Sequence, residues 1–113
     1  MSPRRVDRRY PRELSVEWTW EGTRHIGRSR NVSFGGMFLA TKLPMPHGAR
    51  VAVRFTLPTQ PEPVEVMAEV RWIAEASSPD GAGLGMRFDG LRARDVWALN
   101  RFFEHAEEEA GGR

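Results

Sequence analysis

The sequence has no cysteine, a single lysine and no long apolar run. Without cysteine the chain forms no disulfide and offers no thiolate to a metal ion. No segment approaches the roughly 20 apolar residues of a membrane-spanning helix, and no apolar segment follows the charged N-terminus as it would in a secretory signal. We therefore expect a chain without a membrane span, located in the cytoplasm.

The usual signatures of catalysis are also missing. The three histidines are not spaced as metal ligands, and the sequence has neither a nucleophile motif nor a phosphate-binding glycine loop. The acidic clusters, Glu65 with Glu69 and the run at 107–109, are expected to be solvated surfaces rather than acid–base pairs. The sequence therefore predicts a protein that is not an enzyme and uses neither a metal nor a cofactor.

What is present is a repeated strand pattern over residues 14–90. Six short segments show apolar–polar alternation or β-branched and aromatic residues, and turn-forming residues separate them. The segments span residues 14–20, 24–33, 36–43, 50–57, 64–76 and 84–88. The length, 113 residues, is that of a single domain. The pattern predicts an all-β domain, a small antiparallel barrel or sandwich of six strands.

The periodicity changes after residue 90. Val96, Leu99 and Phe103 recur at helical spacing within residues 91–110, which predicts one amphipathic helix. We expect this helix to lie over one end of the barrel, with the three apolar side chains facing inward.

The positive charge is concentrated in an N-terminal arm, defined as residues 1–13. Its arginines include Arg8, Arg9 and Arg12, just before the first predicted strand. A guanidinium group binds phosphate as a bidentate fork and stacks on rings, so this cluster favours a phosphate-bearing ligand. The arm has two prolines and no apolar face. We expect it to be mobile through residue 12 in the free protein and ordered by a ligand.

A second polar cluster lies between the second and third predicted strands. Asn31 and Ser33 are two residues apart, so on a strand their side chains project from one face. An asparagine amide can donate to and accept from a purine edge, and the serine adds a hydroxyl. Gly35 and Gly36 weaken a strand, and Gly36 would let a ligand lie against bare backbone. With the arm, this cluster predicts a nucleotide-binding surface on the outside of the barrel.

The two clusters together resemble the signature of PilZ domains, bacterial receptors for cyclic di-GMP. The family's RxxxR motif corresponds to residues 8–12, and its [D/N]xSxxG motif to residues 31–36. RxxxR alone is unspecific, because two earlier registers in the arm also fit it, but the pair of motifs is specific. The segments EVRWIAE, GAGLGMRF and LRARDVWALNRFF extend the similarity over nearly the whole chain. The resemblance implies one PilZ domain over residues 1–113, a six-stranded antiparallel barrel with a C-terminal helix.

The resemblance also implies a binding site. In that site the arginines of the arm would contact the phosphates and guanine edges of cyclic di-GMP and stack on its bases. An aromatic residue at the place of Trp72 stacks on a guanine in some relatives, but Trp72 would equally fit the core beside Val70. The residues implied are Arg8, Arg9, Arg12, Asn31, Ser33, Gly35, Gly36 and Trp72.

Two positions depart from what the PilZ resemblance would favour. Asn31 replaces the commoner aspartate, which keeps the hydrogen bonds but removes a charge that could pair with an arginine. Asp7 places a negative charge beside the phosphate site and would disfavour a second ligand molecule.

Two other functions compete with a cyclic di-GMP receptor. A small barrel with a basic arm could bind single-stranded nucleic acid, but glutamates interleave with arginines along the strands, so no continuous basic stripe forms. The second competing function is that of a PilZ-like domain that binds another protein and has lost the nucleotide. The completeness of both motifs counts against this function. A receptor of this length would signal through a partner protein, which the sequence does not identify.

Overall fold

A computed structural model describes residues 10–79 and 81–111 as one barrel and one helix. The elements are β1 (Ser15–Trp20), β2 (Thr23–Val32), β3 (Gly36–Ala40), β4 (Arg50–Phe55), β5 (Val64–Ala74), β6 (Gly83–Asp89) and α1 (Ala93–Gly111). The strands close into an antiparallel barrel in the order β1-β2-β3-β6-β5-β4. The predicted six-stranded antiparallel barrel with a C-terminal helix is confirmed, and closure excludes the open sandwich.

Alternation along the strands builds the core. In β4, Val51, Val53 and Phe55 are buried, while the residues between them are exposed. Side chains on successive strand residues point to opposite faces, so each strand contributes one apolar row to the barrel interior. The side chains of the other row point outward, and in β4 they include the exposed Arg50 and Arg54.

The helix α1 contributes apolar side chains to the core. Leu99 and Phe103 are fully buried, as predicted, and Phe102 joins them in the core. Val96 is 43% exposed, so its predicted inward position is wrong. The buried stripe begins instead with Asp95, the third residue of the helix, whose carboxylate accepts a hydrogen bond from the Arg92 N–H at 3.0 Å, as the third residue of a capping box does. Across the described ranges no helix combines the length and apolarity that crossing a bilayer requires.

A bulge in β5 decides the position of Trp72. The pairing of β5 with β6 steps from Val70↔Met86 to Trp72↔Gly85, so no residue of β6 lies directly opposite Arg71. A bulge residue reverses the alternation that follows it. Val70 therefore faces the core, whereas Trp72 is 48% exposed. Of the two placements that the sequence left open for Trp72, the one in the core is wrong.

A second bulge, in β2, has the same effect on Asn31. The pairing of β2 with β3 steps from Ser29↔Leu39 to Asn31↔Phe38. Ser29 is buried and Leu39 lies in the core, whereas Phe38 lies outside the core cluster and packs against Trp72. Directly paired residues share a face. Asn31 therefore lies on the outer face, although it is only two residues from the inward-facing Ser29.

Candidate functional site

The two bulges place four residues in one row across the outer face. Asn31 of β2 pairs with Phe38 of β3, Phe38 pairs with Gly85 of β6, and Gly85 pairs with Trp72 of β5. We call these four residues the outer row. It crosses three strand spacings, about 14 Å in all, with a polar amide at one end and an indole at the other.

Gly85 makes room for the indole ring of Trp72. A Cβ atom at Gly85 would lie 2.1 Å from Trp72 Nε1, so a larger residue would displace the ring. The rings of Trp72 and Phe38 are stacked, with centroids 5.1 Å apart and planes inclined by 23°. Trp72 is thus fixed against the barrel while about half of its surface stays accessible. Phe38 and Gly85 were not predicted as parts of the site, although the glycine spacing in GAGLG was the available signal.

The side chain of Ser33 is buried in the turn between β2 and β3. It is 2% exposed, and its Oγ accepts hydrogen bonds from the backbone N–H groups of Gly35 at 3.1 Å and Gly36 at 3.2 Å. The expectation that Ser33 projects from the same face as Asn31 is wrong, because β2 ends at Val32 and Ser33 turns inward. Ser33 shapes the turn between β2 and β3.

Gly36 is required by the barrel itself. A Cβ atom there would lie 1.9 Å from the carbonyl oxygen of Met86, on the neighbouring strand. Close contact between β3 and β6 is therefore sufficient reason for this glycine, and the approach of a ligand to its backbone stays a prediction. Gly35 joins this turn to β6, since its carbonyl accepts a hydrogen bond from the N–H of Phe88 at 2.8 Å.

The described part of the arm starts at Tyr10 and runs beside β2. Tyr10 and Val32 exchange two backbone hydrogen bonds, with N···O distances of 2.9 and 3.0 Å. Tyr10 is 5% exposed and its ring stacks on Phe103, with centroids 4.4 Å apart. The expectation of an arm without buried apolar surface through residue 12 is therefore wrong at Tyr10. Arg8 and Arg9 lie outside the described residues.

Ser29 fastens the following residues of the arm to β2. Its buried Oγ accepts a hydrogen bond from the Leu14 N–H at 2.9 Å and donates one to the Arg12 carbonyl at 2.8 Å. The sequence analysis did not identify this anchor, because a lone serine in a strand carries no distinctive pattern. It holds the backbone of Arg12 alongside the strand that carries Asn31.

The guanidinium of Arg12 faces the C-terminal part of α1. It lies over the ring of Phe102, 5.5 Å from the centroid, and its Nη1 is 3.4 Å from Glu109 Oε1. The Tyr10 hydroxyl donates to Glu107 Oε2 at 2.8 Å. The acidic run at 107–109 was expected to be a solvated surface. Glu108 and Glu109 are exposed as expected, whereas Glu107 is half-buried, and both Glu107 and Glu109 contact the arm.

Most arginines of the barrel wall are paired. Each of the five arginines below lies within 4 Å of a carboxylate, whereas Arg28 and Arg30 on β2 have no described carboxylate within that distance. The pairs are Arg24–Glu17 at 2.8 Å, Arg50–Asp89 at 2.7 Å, Arg54–Glu65 at 3.4 Å, Arg71–Glu69 at 3.5 Å and Arg87–Glu69 at 3.8 Å. In the part of the chain that the structure describes, no group of three or more histidine, cysteine or acidic side chains could hold a metal ion.

The family profile of the PilZ domain matches residues 3–105. The chain therefore belongs to the PilZ domain family. No curated protein sequence matches the chain significantly.

Two solved structures share the fold. The Bacillus subtilis inhibitor of motility, MotI/DgrA, superposes with a TM-score of 0.72 at 22% identity, covering 86% of this chain and 48% of that one. The present chain thus spans about half the length of MotI. The PilZ domain of Escherichia coli YcgR, solved with c-di-GMP, superposes with a TM-score of 0.66 at 21% identity, covering 87% of this chain and 84% of that one. At these identities the similarity establishes the fold.

Proposed function

We propose that the protein is a receptor for cyclic di-GMP, which binds over the outer row with the arm closing on it. The observation that carries the proposal is the juxtaposition of the arm with an amide and an exposed indole on one barrel face. Tyr10 pairs with the end of β2 and Ser29 binds the Arg12 carbonyl, so the Arg12 backbone runs along the part of β2 that carries Asn31, and the outer row continues from Asn31 to Trp72. The match to the PilZ family supports the same ligand.

Each group has a distinct chemical role in this proposal. Arg12, with Arg8 and Arg9 of the same motif, binds the phosphates through charge-assisted hydrogen bonds. The Asn31 amide binds the edge of one guanine. The accessible part of the Trp72 ring stacks on a base, as indoles do with nucleobases generally. Ser33, Gly35 and Gly36 keep the turn in shape, and their backbone forms the floor beside Asn31.

We further infer that the protein acts as an adaptor in the bacterial cytoplasm rather than as an enzyme. The candidate site contains groups that bind a charged ligand with aromatic rings. None of the roles assigned to these groups requires a bond of the ligand to be broken. The output then passes to a partner protein. A pull-down from cell lysate with and without cyclic di-GMP would identify partners that depend on the ligand.

Calorimetry with matched arginine variants tests the ligand. Arg12→Ala should weaken cyclic di-GMP binding about ten- to a hundredfold, the effect of losing charge-assisted contacts worth roughly 1.5–3 kcal/mol. Arg54→Ala is the control, because Arg54 lies on β4, away from the outer row, and pairs with Glu65. Absence of binding by the unmodified protein, or equal effects of the two variants, would refute the proposal.

A further inference from the structure

The acidic run near the end of α1 and the arm before β1 form two polar contacts, although they lie far apart in the sequence. Glu109 Oε1 lies 3.4 Å from Arg12 Nη1, and Glu107 Oε2 accepts a hydrogen bond from the Tyr10 hydroxyl at 2.8 Å. In both contacts, a carboxylate of α1 meets a side chain of the arm. The contacts lie on either side of Pro11, so the helix end touches the arm where its described part begins.

Aromatic packing supports these contacts. Phe103 stacks on Tyr10 with the ring planes inclined by 7°, and it meets Phe34 edge-on at a centroid distance of 4.8 Å. Phe34 belongs to the turn that follows Asn31. Phe103 therefore contacts both the arm and the turn that contains the second motif. A displacement of α1 would alter both parts of the site.

The Glu109 carboxylate is a partner for Arg12 of the same kind as a phosphate group of the ligand. A guanidinium donates to carboxylate and to phosphate oxygens with the same fork geometry. We propose that Glu109 is an internal competitor for the phosphate: it occupies Arg12 in the free protein, lowers the affinity for cyclic di-GMP, and is released when the ligand binds. This proposal rests on the function proposed above.

Exposure limits the size of the effect. The side chains of Arg12 and Glu109 are 35% and 52% exposed, and exposed ion pairs contribute little because water screens them. Such a pair can change a binding constant by at most about fivefold. Glu109 also has a partner of its own on the helix, since its Oε2 lies 3.2 Å from His105 Nε2. The carboxylate therefore keeps a neighbour after Arg12 leaves it.

Two single-charge variants separate competition from the general field of the acidic run. Glu109→Gln should bind cyclic di-GMP about two- to fivefold more tightly in calorimetry than the unmodified protein. Glu108→Gln removes the same charge one residue away, where the side chain faces a cavity lined by Thr59 and Arg101. It should produce a distinctly smaller change. Equal gains from the two variants, or no gain from Glu109→Gln, would overturn the proposal.

A double-mutant cycle supplies the second readout. In an Arg12→Ala background, Glu109→Gln should alter the affinity no more than Glu108→Gln does, because the group for which Glu109 competes is gone. A full two- to fivefold gain that persists without Arg12 would also overturn the competition. If the unmodified protein does not bind cyclic di-GMP at all, the proposed function fails. If it binds but the two glutamate variants behave alike, only the competition fails.

Discussion

At the scale of single residues, Ser29 joins the arm to the barrel. Its hydroxyl is fully buried and satisfies one donor and one acceptor of the arm backbone. Ser29→Ala leaves the Leu14 N–H and the Arg12 carbonyl without this partner. We expect a loss of about 1–3 kcal/mol in the free energy of unfolding, measured by urea denaturation. Ser15→Ala, at an exposed position of β1, should change stability by less than about 0.5 kcal/mol.

Trp72 offers a second test at this scale. Loss of a stacking indole costs roughly 1–3 kcal/mol per base, so Trp72→Ala should weaken cyclic di-GMP binding at least about fivefold. Trp97→Ala is the control, because Trp97 on α1 is even more exposed, at 60%, and lies outside the outer row. Equal affinities for the two variants in calorimetry would remove Trp72 from the site.

The residue types of the site were accessible from the sequence, but their orientation was not. Asn31 and Arg12 were recognised because their chemistry suits a nucleotide, and both lie beside the end of β2. The roles assigned to Ser33 and Gly36 rested on side-chain direction and on free space above the backbone. Both depend on neighbours distant in sequence, such as Met86, whose carbonyl excludes a Cβ atom at Gly36.

At the scale of elements, the six strands and the helix follow from periodicity, whereas the two bulges do not. A bulge adds one residue to a strand without requiring a distinctive residue type, so the sequence does not mark where the inward and outward faces exchange. Yet the bulges in β2 and β5 bring Asn31 and Trp72 to the same outer face. Regular strands would have placed Asn31 on the face of Ser29, and Trp72 on that of Val70.

The aromatic contacts of α1 predict coupling between the helix and the arm. Phe103→Leu removes ring contacts with Tyr10 and should speed amide exchange at Tyr10 and Val32 about tenfold, for a loss of roughly 1–2 kcal/mol. The amide of Val70, which donates to a carbonyl at 2.9 Å on the far side of the barrel, should change less.

A matched core variant controls for general destabilisation. Phe88→Leu disturbs the packing against Phe55, a ring pair separate from the stack of Phe103 on Tyr10. It should not accelerate exchange at Tyr10 and Val32 selectively. Hydrogen exchange followed by NMR distinguishes the two patterns, and an equal increase at all three amides in both variants would contradict the coupling.

At the scale of the whole molecule, charge distribution separates a small ligand from a polymer. The formal net charge is only +2, and five arginines of the described barrel wall are paired with carboxylates, which leaves Arg28 and Arg30 on β2 without a described carboxylate partner. A protein that follows a nucleic-acid backbone needs a run of unpaired cations, and its affinity falls steeply with salt as counterions are released. The wall arginines without such a pair lie on the part of β2 beside the arm, so this distribution favours a ligand that requires positive charge at one place.

We therefore expect cyclic di-GMP to bind more tightly than GMP, GTP or a short single-stranded oligonucleotide, because only the cyclic dimer presents two guanines and two phosphates at a fixed spacing. Raising the salt concentration from about 50 to about 200 mM should weaken cyclic di-GMP binding only a few-fold, since a dinucleotide releases no condensed counterions. An oligonucleotide neutralised at three or four phosphates would lose at least about tenfold over the same range. Calorimetric titrations at both salt concentrations measure the two slopes. Comparable affinity for the oligonucleotide, together with the steeper slope, would assign the barrel to single-stranded nucleic acid instead.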